Sequence, residues 1–138
     1  MSFEEFIKRG LVKRTSKDLA LIKSLIIFSE RDHEFLKKIK IDDLSARNVM
    51  TGYYDILRSI LEAISSLEGY KIYSHEAFTE FLKLKDESIA SQKFDRLRRV
   101  RNGIRYYGKS IKPEEVKENV LEIMQLVKHL KAKYLNKL

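Results

Sequence analysis

The sequence predicts an all-α chain, an antiparallel up-and-down bundle of four to six helices in a single domain spanning residues 1–138. Three observations carry that expectation. Only one proline and five glycines punctuate the 138 residues, too few turn-formers for a sandwich or barrel. Apolar residues recur three and four apart over long stretches, which is the spacing of a helix face. No stretch alternates apolar and polar residues as a half-buried strand does. The length suits one domain with one real core.

In chain order, Phe3 to Arg14 reads as a first helix with Phe3, Phe6, Ile7 and Leu11 on one side. Thr15 or Ser16 then offers a hydroxyl to the free N–H groups of a second helix running to about Ile39. That helix carries two adjacent apolar stripes, Leu19, Ile22, Ile26, Leu36 and Leu21, Leu25, Phe28, Phe35, Ile39, so it is expected to have neighbours on more than one side. His33 falls among them and reads as a partly buried packing residue. Asp42, Asp43 and Ser45 interrupt the pattern and can cap a third helix, Leu44 to Leu67. Its seam is Ala46, Met50, Tyr53, Leu57, Ile60, Ile64 and Leu67, the half-heptad spacing of bundle packing. Gly52 inside it predicts a close helix–helix approach, and Gly69 ends it where a positive φ is allowed.

Lys71–Tyr73 reads as a connection, and Ser74 as the cap of a short fourth helix that turns Ala77, Phe78, Phe81 and Leu82 inward. His75 in its first turn is expected to be exposed. A fifth helix begins near Asp86–Ser88, with Ile89 and Phe94 early in it, a core stripe of Leu97, Val100, Ile104 and Tyr107, and an end at Gly108. Pro113 opens the last helix, followed by Glu114 and Glu115 at the positive end of its dipole. Its seam is Val116, Val120, Ile123, Val127, Leu130 and Tyr134.

Composition narrows the function classes. Without cysteine there is no disulfide, thiolate nucleophile or zinc–thiolate site, which fits a reducing compartment. The N-terminus MSFEEFIKRG is too acidic and polar for a signal peptide. The most apolar run, Leu21–Phe28, contains Lys23 and Ser24 and is far shorter than a bilayer span. A cytoplasmic protein with no membrane partner is expected. There is no Gly-rich phosphate loop, no HExxH and no metal-ligand spacing, so neither a metal nor a cofactor is expected.

The chain carries a net charge of +8, and a single segment concentrates it. Lys93 to Lys109 holds seven cations and one anion, Asp95, a net of +6. On a helix Arg98, Arg101 and Arg105 share a face, and three guanidinium forks in a row can grip successive phosphates. Arg99, Asn102 and Tyr106 form the adjacent face, suited to a sugar or a stacked base. Tyr107 and Lys109 extend the same candidate surface. With almost no counter-charge nearby in sequence, a phosphate-bearing partner, RNA or nucleotide, is expected.

The pieces ARNVMTGYYDILRSILEAISSLEGYK, SHEAFTEFL, RNGIRYYG and KPEEVKENVLEIMQLVKHL, in that order and spacing, resemble the HEPN domain family (higher eukaryotes and prokaryotes nucleotide-binding) over residues 44–131. The resemblance implies a helical bundle acting as a homodimer, with both protomers bringing one motif to a shared cleft. The motif is an arginine, often a polar residue after it, then a histidine beyond four to six intervening residues. Many members are metal-independent RNases, and some are toxins paired with a small nucleotidyltransferase. Here Arg101 matches the arginine and Asn102 its polar neighbour, but Tyr106, Tyr107 and Gly108 stand where the histidine belongs.

Cleavage through a 2′-hydroxyl needs a proton acceptor and a donor with pKa values near the working pH. Histidine suits both roles, whereas tyrosine, ordinarily at about 10, does not. Three readings follow. A binding module for RNA or nucleotide, or a partner subunit of a nucleotidyltransferase, is favoured. A metal-independent toxin-type endoribonuclease using Arg101, Asn102 and Tyr106 is the alternative. The third reading is a helical module whose basic face meets an acidic protein.

Overall fold

A computed structural model describes all residues, 1–138, and its fold is all-α, a bundle of six helices joined by one two-stranded ribbon. The elements are α1 (Phe3–Lys8), β1 (Val12–Arg14), α2 (Leu19–Leu36), α3 (Ala46–Leu67), β2 (Tyr70–Ile72), α4 (His75–Leu84), α5 (Ser88–Tyr106) and α6 (Pro113–Tyr134). No helix is long and apolar enough to cross a membrane.

The centre of the molecule is α3, which packs against α2, α4, α5, α6 and β2. Its predicted seam is buried from Ala46 to Ile64, with Leu67 half-buried at the end. Val49, Tyr54, Ile56, Leu61 and Ala63 are buried too, because a helix surrounded on several sides needs more than one apolar stripe. Gly52 marks the expected close approach: a Cβ there would stand 3.0 Å from both Leu36 methyls of α2. Gly69 has φ +87°, and its carbonyl accepts from Thr15 N at 2.8 Å. The buried apolar residues form one continuous core.

The first helix is shorter than its periodicity suggests. It ends at Lys8, and Gly10, at φ +74°, turns the chain so that Val12–Arg14 becomes a strand rather than a further helical turn. That strand pairs antiparallel with Tyr70–Ile72, which reads as a plain connection in the sequence, with Val12 opposite Ile72. Phe3 supports the ribbon from below, its ring edge-on to Tyr70 at 5.1 Å. Leu11, expected on the apolar side of a helix, lies at the surface.

Other boundaries move by up to three residues, α2 ending at Leu36 rather than about Ile39. Asp18, not Thr15 or Ser16, caps α2, its Oδ1 accepting from Leu21 N at 3.0 Å. The turn before α3 is built by Asp42 and Ser45: Asp42 Oδ1 accepts from the N–H of Leu44 and of Ser45. Ser74 occupies the N-cap position of α4 without a side-chain bond. Only one side of α2 is well covered, so Phe28 (56% exposed) and Phe35 (64%) of the second predicted stripe remain in solvent. On α5, Ile89 is exposed as well.

Candidate functional site

The arginine segment forms α5 and the turn after it. Phe94, Leu97 and Ile104 bury one side of the helix against the core. The helix runs through Gly103 without a break to Tyr106. Gly103 matters for the chain that returns across it: a Cβ there would lie 3.2 Å from Lys109 Cδ, and its carbonyl accepts from Lys109 N at 3.0 Å. Tyr107, expected in the core stripe, is 75% exposed. It has left helical geometry at φ −118° and ψ 8°, so the helical spacing no longer points it inward.

Pairing sorts the cations into two groups. Sequence neighbours offer only Asp95, but the folded chain supplies more counter-charge than that. Asp95 accepts from Arg98 Nη2 and Arg99 Nη2, each at 2.9 Å, and from Thr79 Oγ1 at 3.3 Å. Burial alone would raise the Asp95 pKa, but the hydrogen bond and charge of Arg98, with Arg99 and Thr79, outweigh it and hold the carboxyl below its ordinary range. Arg96 reaches across to α6, donating to Glu122 at 2.6 Å and to buried Asn119 at 3.1 Å. Arg96, Arg98 and Arg99 are therefore structural ion-pair partners.

Arg101, Arg105 and Lys109 have no carboxylate partner. Arg105 and Lys109 are exposed, and Arg101 is half-buried. The Arg101 guanidinium lies over two rings, 5.3 Å from the centre of Tyr54 and 5.4 Å from that of Tyr106, and donates to Asn102 Oδ1 at 3.1 Å. Arg101, Asn102 and Tyr106 are thus brought together, although five residues apart on a straight helix places the first and last well round from each other. Arg47, from the start of α3, joins this end: it donates to the Ile104 carbonyl at 3.2 Å and also lacks an acidic partner. Nothing in its local sequence distinguishes Arg47; only the packing of α3 against α5 reveals it.

Along the other flank of α5 a groove of about 530 Å³ opens between the helix and the returning Lys109–Ile111 turn. Arg96, Arg99, Gly103, Lys109 and Glu115 line it.

The structure also relocates His75. Expected in solvent, it is half-buried at the start of α4, its Nδ1 2.9 Å from the Tyr54 hydroxyl and its ring stacked on Tyr54 at 5.8 Å. Burial first, then the charges of Arg101, Arg58 and Arg98, hold its pKa down at about 4, so the ring is neutral at pH 7. No histidine follows Arg101 in sequence at the motif spacing, yet an imidazole from another helix shares an aromatic support with it. The remaining histidines lie elsewhere: His33 is edge-on to Tyr53, and His129 bonds the buried Glu87 at 2.6 Å.

Comparison of the chain with protein-family models, with curated proteins and with solved structures found no match.

Proposed function

We propose that this protein binds RNA or nucleotide through the uncompensated cations at the C-terminal end of α5, as a HEPN-like module in which binding prevails over cleavage. The observation that carries the reading is the division of the basic segment into paired and free charges. Arg101, Arg105 and Lys109, with Arg47 beside them, are the cations left without carboxylates at one end of one helix. Exposed Tyr106 and Tyr107 stand among them. A guanidinium with free donors next to aromatic faces suits a phosphate flanked by stacked bases. An acidic protein partner would use the charges but has no need of the two exposed rings.

Two further expectations belong to this reading. Self-association into a homodimer is supported by the uncovered Ile27, Phe28 and Phe35 on α2, and light scattering measures it directly. A nucleotidyltransferase partner rests on the family resemblance, and co-purification with such a protein tests it.

The deciding experiment incubates the protein with a mixed RNA pool, without metal, beside an Arg101→Ala variant. Binding that weakens steeply with salt and falls in the variant supports the proposal. Cleavage lost in the variant would move the assignment to the endoribonuclease. Absence of RNA and nucleotide binding at low salt would refute both.

A further inference from the structure

Tyr54 is an enclosed aromatic side chain beside the free cation Arg101. It is fully buried, its ring stacked on Phe94 at 5.7 Å and on His75 at 5.8 Å. The sole partner of its hydroxyl is His75 Nδ1. Burial pushes the Tyr54 pKa far above the ordinary tyrosine value, so the hydroxyl stays protonated, and with Nδ1 as its sole partner the neutral pair is satisfied when the O–H donates a hydrogen bond to Nδ1. Nδ1 is then the acceptor, and a neutral imidazole must carry its proton on Nε2.

Nε2 makes no bond within the protein, and no buried side-chain nitrogen or oxygen in the molecule lacks a partner. Nε2 therefore opens to solvent. The same Tyr54 ring carries the Arg101 guanidinium at 5.3 Å. A single buried side chain thus fixes both a permanent cation and a solvent-facing N–H donor.

We propose that His75 belongs to the phosphate site centred on Arg101: its Nε2–H bonds an oxygen of the phosphate ester that the guanidinium holds, and as the ester binds Nδ1 takes a proton from solvent, its bond with Tyr54 reversing so that Nδ1–H donates to the phenol oxygen. This rests on the reading that Arg101 contacts a phosphate. The field around the imidazole explains the coupling. Arg58 and Glu62 face it from α3, and Arg98 and Arg101 from α5, so cations outnumber the one carboxylate. Cations hold the ring neutral when nothing is bound. An anionic ester beside Arg101 reverses the local sign and favours the imidazolium, whose N–H is the stronger donor. Binding and proton uptake are then linked, each promoting the other.

The test uses a fluorescein-labelled oligouridylate of about ten nucleotides, read by anisotropy at low salt without metal. If binding returns the imidazole to its ordinary pKa of about 6.5, wild-type affinity rises about tenfold between pH 8 and about pH 5.5. His75→Gln keeps an N–H donor in reach but cannot take up a proton. Whatever its affinity at pH 8, that affinity is expected to change by less than about twofold down to about pH 5.5 instead of rising tenfold, while its thermal melt at pH 8 confirms that it folds. In the proton NMR spectrum the His75 Cε1–H, assigned by its absence from His75→Gln, titrates at higher pH with oligouridylate present. ADP in place of the oligonucleotide separates the sources: the same proton linkage with ADP identifies a nucleotide site, and linkage with oligouridylate alone identifies RNA.

A His75→Gln protein that keeps the full gain on acidification, with an unmoved His75 signal, overturns the role of His75. If Arg101→Ala abolishes binding in that same series, the phosphate reading itself survives. Absence of wild-type binding to either probe overturns both.

Discussion

Neutral His75 has a consequence for stability that needs no ligand. The folded ring titrates at about 4, against about 6.5 in an unfolded chain. As pH falls below about 6.5 the unfolded chain takes up this proton first, so the stabilisation present at neutral pH is lost down to about pH 4 and is constant below. Without screening, the difference between about 6.5 and about 4 would make that loss about 3.4 kcal/mol, at about 1.4 kcal/mol per pH unit. The ring is only half-buried, and solvent screening brings the expectation to about 1.5 kcal/mol.

The assay is urea unfolding of wild type and His75→Gln at pH 7 and at about pH 4.5. Asp95 and Glu87 are also held below the ordinary carboxylate range, and their stabilisation too is lost on acidification, but mostly below that interval. His33, lowered by burial and by Lys37, has the same sign as His75, and the comparison with the variant removes its share. Wild type should lose about 1 kcal/mol more than His75→Gln over the interval. Equal losses in the two proteins would refute the claim that the fold holds this ring neutral.

Gly69→Ala places a Cβ 3.2 Å from the Thr15 carbonyl in a residue at φ +87° and should cost about 1–2 kcal/mol in thermal melts. Gly108→Ala, at φ +65° with open space around it, should cost less; the reverse order would contradict the assigned contact. Glu87→Gln removes the carboxylate between His129 (2.6 Å) and Lys133 (3.4 Å) at a buried position and should destabilise the fold by about 1–3 kcal/mol at pH 7, measured by urea unfolding. Arg105→Ala should weaken RNA binding and lower its log–log salt slope by about 0.7. Arg96→Ala, which breaks the contacts to Glu122 and Asn119, should instead lower the melting temperature and leave that slope nearly unchanged.

Periodicity makes α3 and its neighbours legible because each long helix repeats its buried face many times. Gly52 reads as a contact because glycine inside a helix costs stability, a cost that a close-packed neighbour such as Leu36 offsets. The β1–β2 ribbon is not legible in the same way. Its strands are three residues each, its partners lie far apart in sequence, and the apolar spacing of Phe3, Phe6, Ile7 and Leu11 continues smoothly past Gly10. Tyr54 falls outside the seam because a single stripe selects Tyr53, whereas a central helix also buries the next residue round. Periodicity places His75 in solvent because the first turn of a helix is usually exposed. Its partner is twenty-one residues upstream on another helix, and no local signal links them.

Counting charge along the sequence gives the magnitude of the basic patch but not its location. Asp95 neutralises two arginines at once, and Glu122 reaches a third from α6, so Arg96, Arg98 and Arg99 are all paired in the folded protein. Apart from Lys93 near its start, the segment's unpaired cations gather at the end of the helix, where the backbone carbonyls are negative and a cation is favourably placed without any ligand. Arg47 shows this in its bond to the Ile104 carbonyl. A helix C-terminus can therefore hold several free cations at little cost in stability. Stability measurements on Arg105 are accordingly insensitive to function. Salt-dependent binding, and proton uptake at His75 linked to that binding, are the measurements that test for a phosphate in the field of Arg101.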